Sequence, residues 1–227
     1  RAGIVVLDSE VDANGTMVYG LFDNVDVRSE SRFDQLSTEF TQLTLNVTHE
    51  FSDRLRMTGF LGSSTSEHDN PIQTTLLFDH ANSDGYSYDY RSNPNLPMIS
   101  YGFDVEDPAN WTLSQIRLRP QTADNTYETA QLNGEWDITD SVTLSGGLFV
   151  KSYSFETTEL RRDPASCGLA PTGNAEGCIP AGVAGTPLSS FSRLVGLAAQ
   201  WDIPTGSTLT WLIPDYHAAD ALFDFGS

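Results

Sequence analysis

Three tyrosines alternate in the stretch Gly85-Tyr86-Ser87-Tyr88-Asp89-Tyr90-Arg91. In an extended chain, side chains two apart share a face, so Tyr86, Tyr88 and Tyr90 form a candidate surface for stacking on a sugar or an aromatic ligand. An ordinary strand in an extracellular extension fits the same spacing. Two cysteines, Cys167 and Cys178, lie in the Gly/Pro/Ala-rich stretch between Arg162 and Phe191. Pairing within one loop suggests a disulfide and an oxidising compartment; two unpaired thiols are the alternative. The run Asp104-Val105-Glu106-Asp107 is dense in carboxylates, which suit a hard cation, but it lacks the spacing and the glycine of a calcium loop. No metal site is assigned to it.

The four histidines, His49, His68, His80 and His217, are scattered along the chain. His49 falls on the apolar face near a turn, where an imidazole suits an interface better than catalysis; His68 and His80 stand beside Asp69 and Asp79, where a contact to a metal or a metal chelate is the alternative to the favoured solvated loop. There is no Gly-x-Ser-x-Gly elbow, no His-Glu-x-x-His helix and no phosphate-cradling loop. The chain is therefore read as a non-enzyme without a cofactor. Asn46-Val47-Thr48 and Asn110-Trp111-Thr112 match the glycosylation sequon, and no modification is assigned to either.

The elements that would position these residues come as a repeat. Gln42 to Phe51 alternates polar and apolar residues, turns at Ser52-Asp53-Arg54, and returns as Leu55 to Leu61. Thr129 to Trp136 and Val142 to Val150 flank a second turn, and Val195 to Trp201 and Thr208 to Ile213 a third. Period-two alternation predicts strands, and a short turn between two of them predicts an antiparallel hairpin. Hairpins are expected near 40–61, 126–151 and 193–213, with further strands near Met17–Phe22, Gln73–Phe78 and Thr112–Arg119. Long loops are expected near 62–119 and 152–192.

Each hairpin has two unlike faces. Leu43, Leu45, Val47, Leu55, Met57 and Leu61 oppose Gln42, Thr44, Asn46, Glu50, Arg56 and Thr58. In the second hairpin Ala130, Leu132, Trp136, Leu144, Leu148 and Val150 oppose Gln131, Asn133, Glu135, Thr143, Phe149 and Lys151. A soluble sandwich with polar outer faces gives this pattern too. Three features point to a membrane barrel instead. Phe51, Trp136 and Trp201 each precede a short turn, where a ring suits the membrane–water interface. The polar faces carry amides and charges along their length, as a wet lumen requires. Short turns alternate with very long connections, the habit of outer-membrane barrels. A strand of about ten residues tilted at ~40° spans ~25 Å, the height of the apolar band.

The 227 residues are 39% hydrophobic and 19% charged, and 31 acidic against 12 basic residues leave a formal net charge of -19. That balance opposes nucleic-acid binding, which depends on neutralising phosphates. No run approaches the ~20 apolar residues of a membrane helix, which excludes a helical span and leaves a barrel untouched. The sequence starts at Arg1 and finishes on Phe225-Gly226-Ser227, and both ends look cut.

Arg28-Ser29-Glu30-Ser31-Arg32-Phe33-Asp34-Gln35-Leu36-Ser37-Thr38-Glu39-Phe40-Thr41-Gln42 resembles the opening barrel strands of TonB-dependent outer-membrane receptors of Gram-negative bacteria. Asp69-Asn70-Pro71-Ile72-Gln73-Thr74-Thr75-Leu76 is similar to the segment after their first long loop. Gln131 to Trp136 and Trp211 to Tyr216 look like later strand ends of the same proteins. The resemblance implies an antiparallel transmembrane β-barrel of about 22 strands, of which this chain is part, with long extracellular loops and a plug that nothing here resembles. It implies energy-coupled uptake of a scarce nutrient, whether siderophore–iron, cobalamin or carbohydrate. The implied partners are outer-membrane lipid and lipopolysaccharide, a small-molecule or oligosaccharide substrate, and the inner-membrane TonB complex acting through the plug. Two other classes stay open: a secreted β-sandwich binding module, and a passive porin or adhesin barrel.

Overall fold

The computed structural model describes residues 3–161, 183, 185–196 and 203–225. Among the described residues the protein is all-β apart from one short α-helix and two single 3-10 turns, and every described strand pairing is antiparallel. The chain divides into two compact units, one built from residues 1–33, 73–118 and 161–227, the other from 34–72 and 119–160.

The strands are β1 (Val5–Val11), β2 (Met17–Asp23), β3 (Val25–Ser52), β4 (Leu55–Ser83), β5 (Tyr86–Asp89), β6 (Met98–Ser100), β7 (Thr112–Leu118), β8 (Gln121–Thr139), β9 (Val142–Glu159), β10 (Ser192–Gly196) and β11 (Thr210–Pro214). Helix α1 covers Tyr216–Phe223. Asp215 caps its first turn by accepting from the Ala218 N–H at 3.2 Å. Asp224 closes it in the left-handed region.

The first unit holds a buried core. Leu76 and Phe78 of β4 pack with Leu113 and Ile116 of β7, and with Val27, Val105, Trp111, Phe191, Leu212, Tyr216 and Ala219. A register shift explains the β7 contribution: Ile116 stands opposite Leu76 and Leu113 opposite Phe78, and the irregularity between them lets residues three apart share the core face. Polar groups inside this core are satisfied locally. The Trp111 indole N–H donates to the Val105 carbonyl at 3.1 Å, and the Ser29 hydroxyl to the Leu212 carbonyl at 2.6 Å. A separate sheet in the same unit has the order β1-β2-β5-β6.

The second unit is a single-layer sheet made of parts of β3, β4, β8 and β9, which lie in that order. Its hairpin tips are Asp53-Arg54 between β3 and β4, and Asp140-Ser141 between β8 and β9. The second tip falls within the expected turn at Asp137 to Ser141, shortened because the ladder continues past Trp136 through a register shift at Asp137/Thr139. The Asp137 N–H also donates to the Arg54 carbonyl at 2.8 Å.

Two expectations need correction. The stretch near 62–119 is not one long loop: β4 runs on to Ser83, and β5, β6 and β7 follow. Likewise β9 continues to Glu159, eight residues into the expected loop near 152–192. Gly62 and Ser152, read as the starts of the long loops, are mid-strand because β4 and β9 both go on pairing with β8 there. In the third predicted hairpin, β10 pairs with β11 from Ser192↔Pro214 to Gly196↔Thr210. Trp201 and both cysteines, Cys167 and Cys178, lie outside the described residues.

Candidate functional site

Register places the two faces of the second unit's sheet. Leu61 stands opposite Ala130 and Ala130 opposite Val150; Gly59, Leu132 and Leu148 form the next row; Met57, Gly134 and Gly146 the next; Leu55, Trp136 and Leu144 the last. On the other face Arg56 stands opposite Glu135 and lies 3.7 Å from both Glu135 and Glu50. The Thr38 hydroxyl meets His68 Nδ1 at 3.0 Å. Even-numbered residues of β3 therefore share the polar face with even-numbered residues of β4. Leu43, Leu45 and Val47 fall with Leu61 on the apolar one, where Leu45, Val47, Leu61, Ala130, Leu132, Leu148 and Val150 line a common groove.

This apolar face is exposed. Leu43, Leu45, Val47, Leu61, Leu132, Leu144, Leu148 and Val150 are all open to the surroundings. The band occupies nine residues of each outer strand, Leu43–Phe51 on β3 and Val142–Val150 on β9, about 26 Å of extended chain. At its hairpin end stand Phe51 and Trp136, both exposed. At its other end the same face turns polar within one row: Ser63, Glu128 and Ser152, then Thr65, Thr126 and Ser154, then Glu67, Asp124 and Glu156.

Along part of β4 the polar face is the more shielded of the two. From Gly62 to His68 on β4, even-numbered residues are half-buried while odd-numbered ones are exposed. It also carries rings. Phe60 stands opposite Gln131, which stands opposite Phe149; Tyr127 stands opposite Tyr153, and Asn125 opposite Phe155. The Tyr153 hydroxyl donates to Asn125 Oδ1 at 2.8 Å. Tyr153 and Phe155 fall in the stretch read as loop, and Tyr127 stands in the second hairpin just ahead of Thr129, where the traced alternation begins. The signal was available in Lys151-Ser152-Tyr153-Ser154-Phe155, which keeps the period of two.

The tyrosines singled out from the sequence do come together. Tyr86 and Tyr88 lie on β5 against Phe22 of β2, with ring centres 6.2 and 5.8 Å apart, and Tyr90 meets Tyr88 at 5.9 Å. Gly20 faces Tyr88 in the ladder, and the Phe22 ring covers the space a side chain there would need. Much of each ring is spent on its neighbours. Burial, then the nearby phenols of Tyr101, Tyr88 and Tyr90, pushes the Tyr86 hydroxyl above the ordinary phenol value of 10.0. Arg91 sits 4.0 Å over the Tyr19 ring and binds Asp89, whose carboxyl it holds below the usual range.

The other candidates have structural duties. His80 stacks on Phe103 at 3.7 Å and its Nδ1 meets the Asn110 carbonyl at 2.6 Å. His49 packs edge-on to Phe51, and His217 edge-on to Phe33. In the acidic run, Asp104 accepts from the Glu106 N–H, Asp107 caps the turn Pro108–Asn110, and Glu106 accepts from the Thr210 hydroxyl. Among the described residues, no three His, Cys, Asp or Glu side chains gather as a metal site.

Fold and faces together define the class: an all-β protein of antiparallel sheets, one of them a single layer with an exposed apolar side. No family model matches the sequence, and no curated protein does. Among solved structures the chain is similar to the membrane pore complex of pneumolysin, at 10% identity and a TM-score of 0.15 over 66% of this chain. It spans 35% of that chain. A likeness so remote carries no argument about fold or function.

Proposed function

We propose that this chain is a segment of an outer-membrane β-barrel that takes up a scarce nutrient, in the manner of the TonB-dependent receptors its sequence resembles. The observation that carries the reading is the exposed apolar band, nine residues tall on its outer strands, with Phe51 and Trp136 at the hairpin end. A band of this height, rimmed by rings and backed by a polar inner face, matches the hydrocarbon layer and its interface. A soluble sandwich would lay a second sheet over Leu132 and Leu148; among the described residues they stay uncovered.

The open edges argue in the same direction. β3 and β9 are the outermost strands of the sheet, and every residue of β9 is exposed. In lipid each unpaired backbone group costs several kcal/mol, so both edges call for neighbours, which a closed barrel of about 22 strands would supply. Short tips at Asp53-Arg54 and Asp140-Ser141 belong on the periplasmic side by the same habit. Nutrient uptake, coupling to the TonB complex through a plug, and residence in the outer membrane of a Gram-negative bacterium rest on the resemblance.

The test is insertion. The full native polypeptide is folded into vesicles whose lipids carry bromine at known depths, and the fluorescence lost in Trp136→Phe is assigned to Trp136. Strongest quenching by bromine near the headgroups supports the barrel. A monodisperse protein that unfolds cooperatively in plain buffer and ignores the vesicles would sink it.

A further inference from the structure

The polar face of the second unit carries rings that, among the described residues, no core covers. Phe149, Tyr153 and Phe155 of β9 are 68%, 65% and 55% exposed. Register puts them on the face opposite Leu132 and Leu148, so in a barrel they point away from lipid. Their cross-strand neighbours are amides, a phenol and hydroxyls: Gln131, Tyr127 and Asn125 on β8, with Ser64 and Ser66 beyond on β4. Phe149 and Tyr153 are four residues apart, about 13 Å along a strand, and Phe155 follows about 7 Å further on.

We propose that this ladder is a binding track for a neutral oligosaccharide, which would make carbohydrate the substrate class of the uptake function; its lumenal position rests on the barrel reading. The chemistry selects the ligand by elimination and by fit. A sugar presents apolar C–H faces that lie flat on rings and hydroxyls that both donate and accept, as the amides between the rings do. A span of 13 Å is too long for one sugar and suited to several linked ones.

Charge selects against the alternatives. The chain carries a net charge of -19, which repels anions such as acidic chelates. Lys151, the one lysine of the sequence, is on this face with its ammonium 5.3 Å from the Phe149 ring centre. It already occupies the place a cationic ligand would take on that ring. A neutral ligand meets neither obstacle. The Tyr153 hydroxyl is spent on Asn125, so the open ring face rather than the hydroxyl is what Tyr153 offers the ligand.

The solitary lysine supplies the measurement. The full polypeptide, folded in detergent, is treated with an amine-reactive reagent during titration with maltohexaose, cellohexaose or chitohexaose, and labelling at Lys151 is read by peptide mass. At least one of the three should protect Lys151 saturably. Phe149→Ala and Tyr153→Ala should each weaken that protection roughly three- to tenfold, the worth of one ring contact, and Tyr153→Phe should keep it. No saturable protection by any of the three, or protection that survives both alanine variants, overturns the proposal. Vesicle insertion is read separately through Trp136, so binding without insertion condemns the barrel alone, and insertion without binding condemns the track alone.

Discussion

Leu132 and Leu148 stand directly opposite each other across the β8–β9 ladder, and both are largely exposed, at 47% and 78%. A cross-strand leucine pair normally marks a core; here no described layer covers it. The pair is where water and lipid make opposite demands. Leu148→Arg in the vesicle-embedded protein should cost about 1–3 kcal/mol, less than the penalty at the bilayer midplane because Leu148 lies one row off the band's central Gly146. Chemical denaturation in vesicles measures it. A loss near zero there would mean that this face does not meet hydrocarbon.

Phe78 is fully buried on β4, with its ring edge-on to Phe191 at 5.8 Å. Phe78→Ala removes a large ring from a packed core and should cost about 3–5 kcal/mol. Because Phe78 and Trp111 belong to the same core, Trp111 emission should report the loss as an earlier unfolding transition. An unchanged midpoint would mean that the first unit's core is not formed in solution.

Tyr86, Tyr101 and Tyr216 all have hydroxyls pushed above the ordinary phenol value of 10.0, in each case chiefly by burial. The folded values are raised, so the folded state holds these protons more tightly than the unfolded chain does. Their contribution is fully present below about pH 10 and is lost as pH rises through the folded values. Absorbance at the phenolate band should show these three ionising later than the exposed tyrosines, together with alkaline loss of fold. Replacing Tyr86 by Phe should remove part of the late ionisation. If all eight tyrosines titrated together near 10, the packing around Tyr86 would be wrong.

Glu67, Asp124 and Glu156 form one row across three strands, all exposed on the same face. Like charges placed directly opposite destabilise a ladder by roughly 0.2–1 kcal/mol. Asp124→Asn should therefore raise stability by that order at low ionic strength, and the gain should shrink as salt screens the row. Denaturation midpoints at two salt concentrations decide it; a loss of stability would indicate that the carboxylates are not juxtaposed as described.

Much of the sheet was legible because its residues obey one simple rule. From Leu43 to Leu61 and from Ala130 to Val150, apolar side chains recur every second position, and both hairpins appear where that period breaks at polar tips. The strands beyond Gly62 and Ser152 were harder to see. Ser63-Ser64-Thr65-Ser66 is polar on both faces, so local composition reads as loop, while Ser152-Tyr153-Ser154-Phe155 keeps the period of two but moves its rings to the face opposite the leucines. Backbone pairing with β8 makes them strands regardless. The first unit's core was still less visible. Val27, Val105, Phe191 and Leu212 come from distant parts of the chain, and no local period links them.

Alternation by itself specified that these segments are strands, which side chains share a face, and where two of the tips fall, because a pleated strand sends successive side chains to opposite sides whatever surrounds it. Tertiary pairing decided the rest. It put Phe149, Tyr153 and Tyr127 on the face opposite Leu148 in register with amides. It also aligned Glu67 with Asp124 and Glu156, and left the leucine band with no described cover. Those outcomes depend on which residue stands opposite which, and register is settled by many cross-strand contacts at once rather than by any local run of residues.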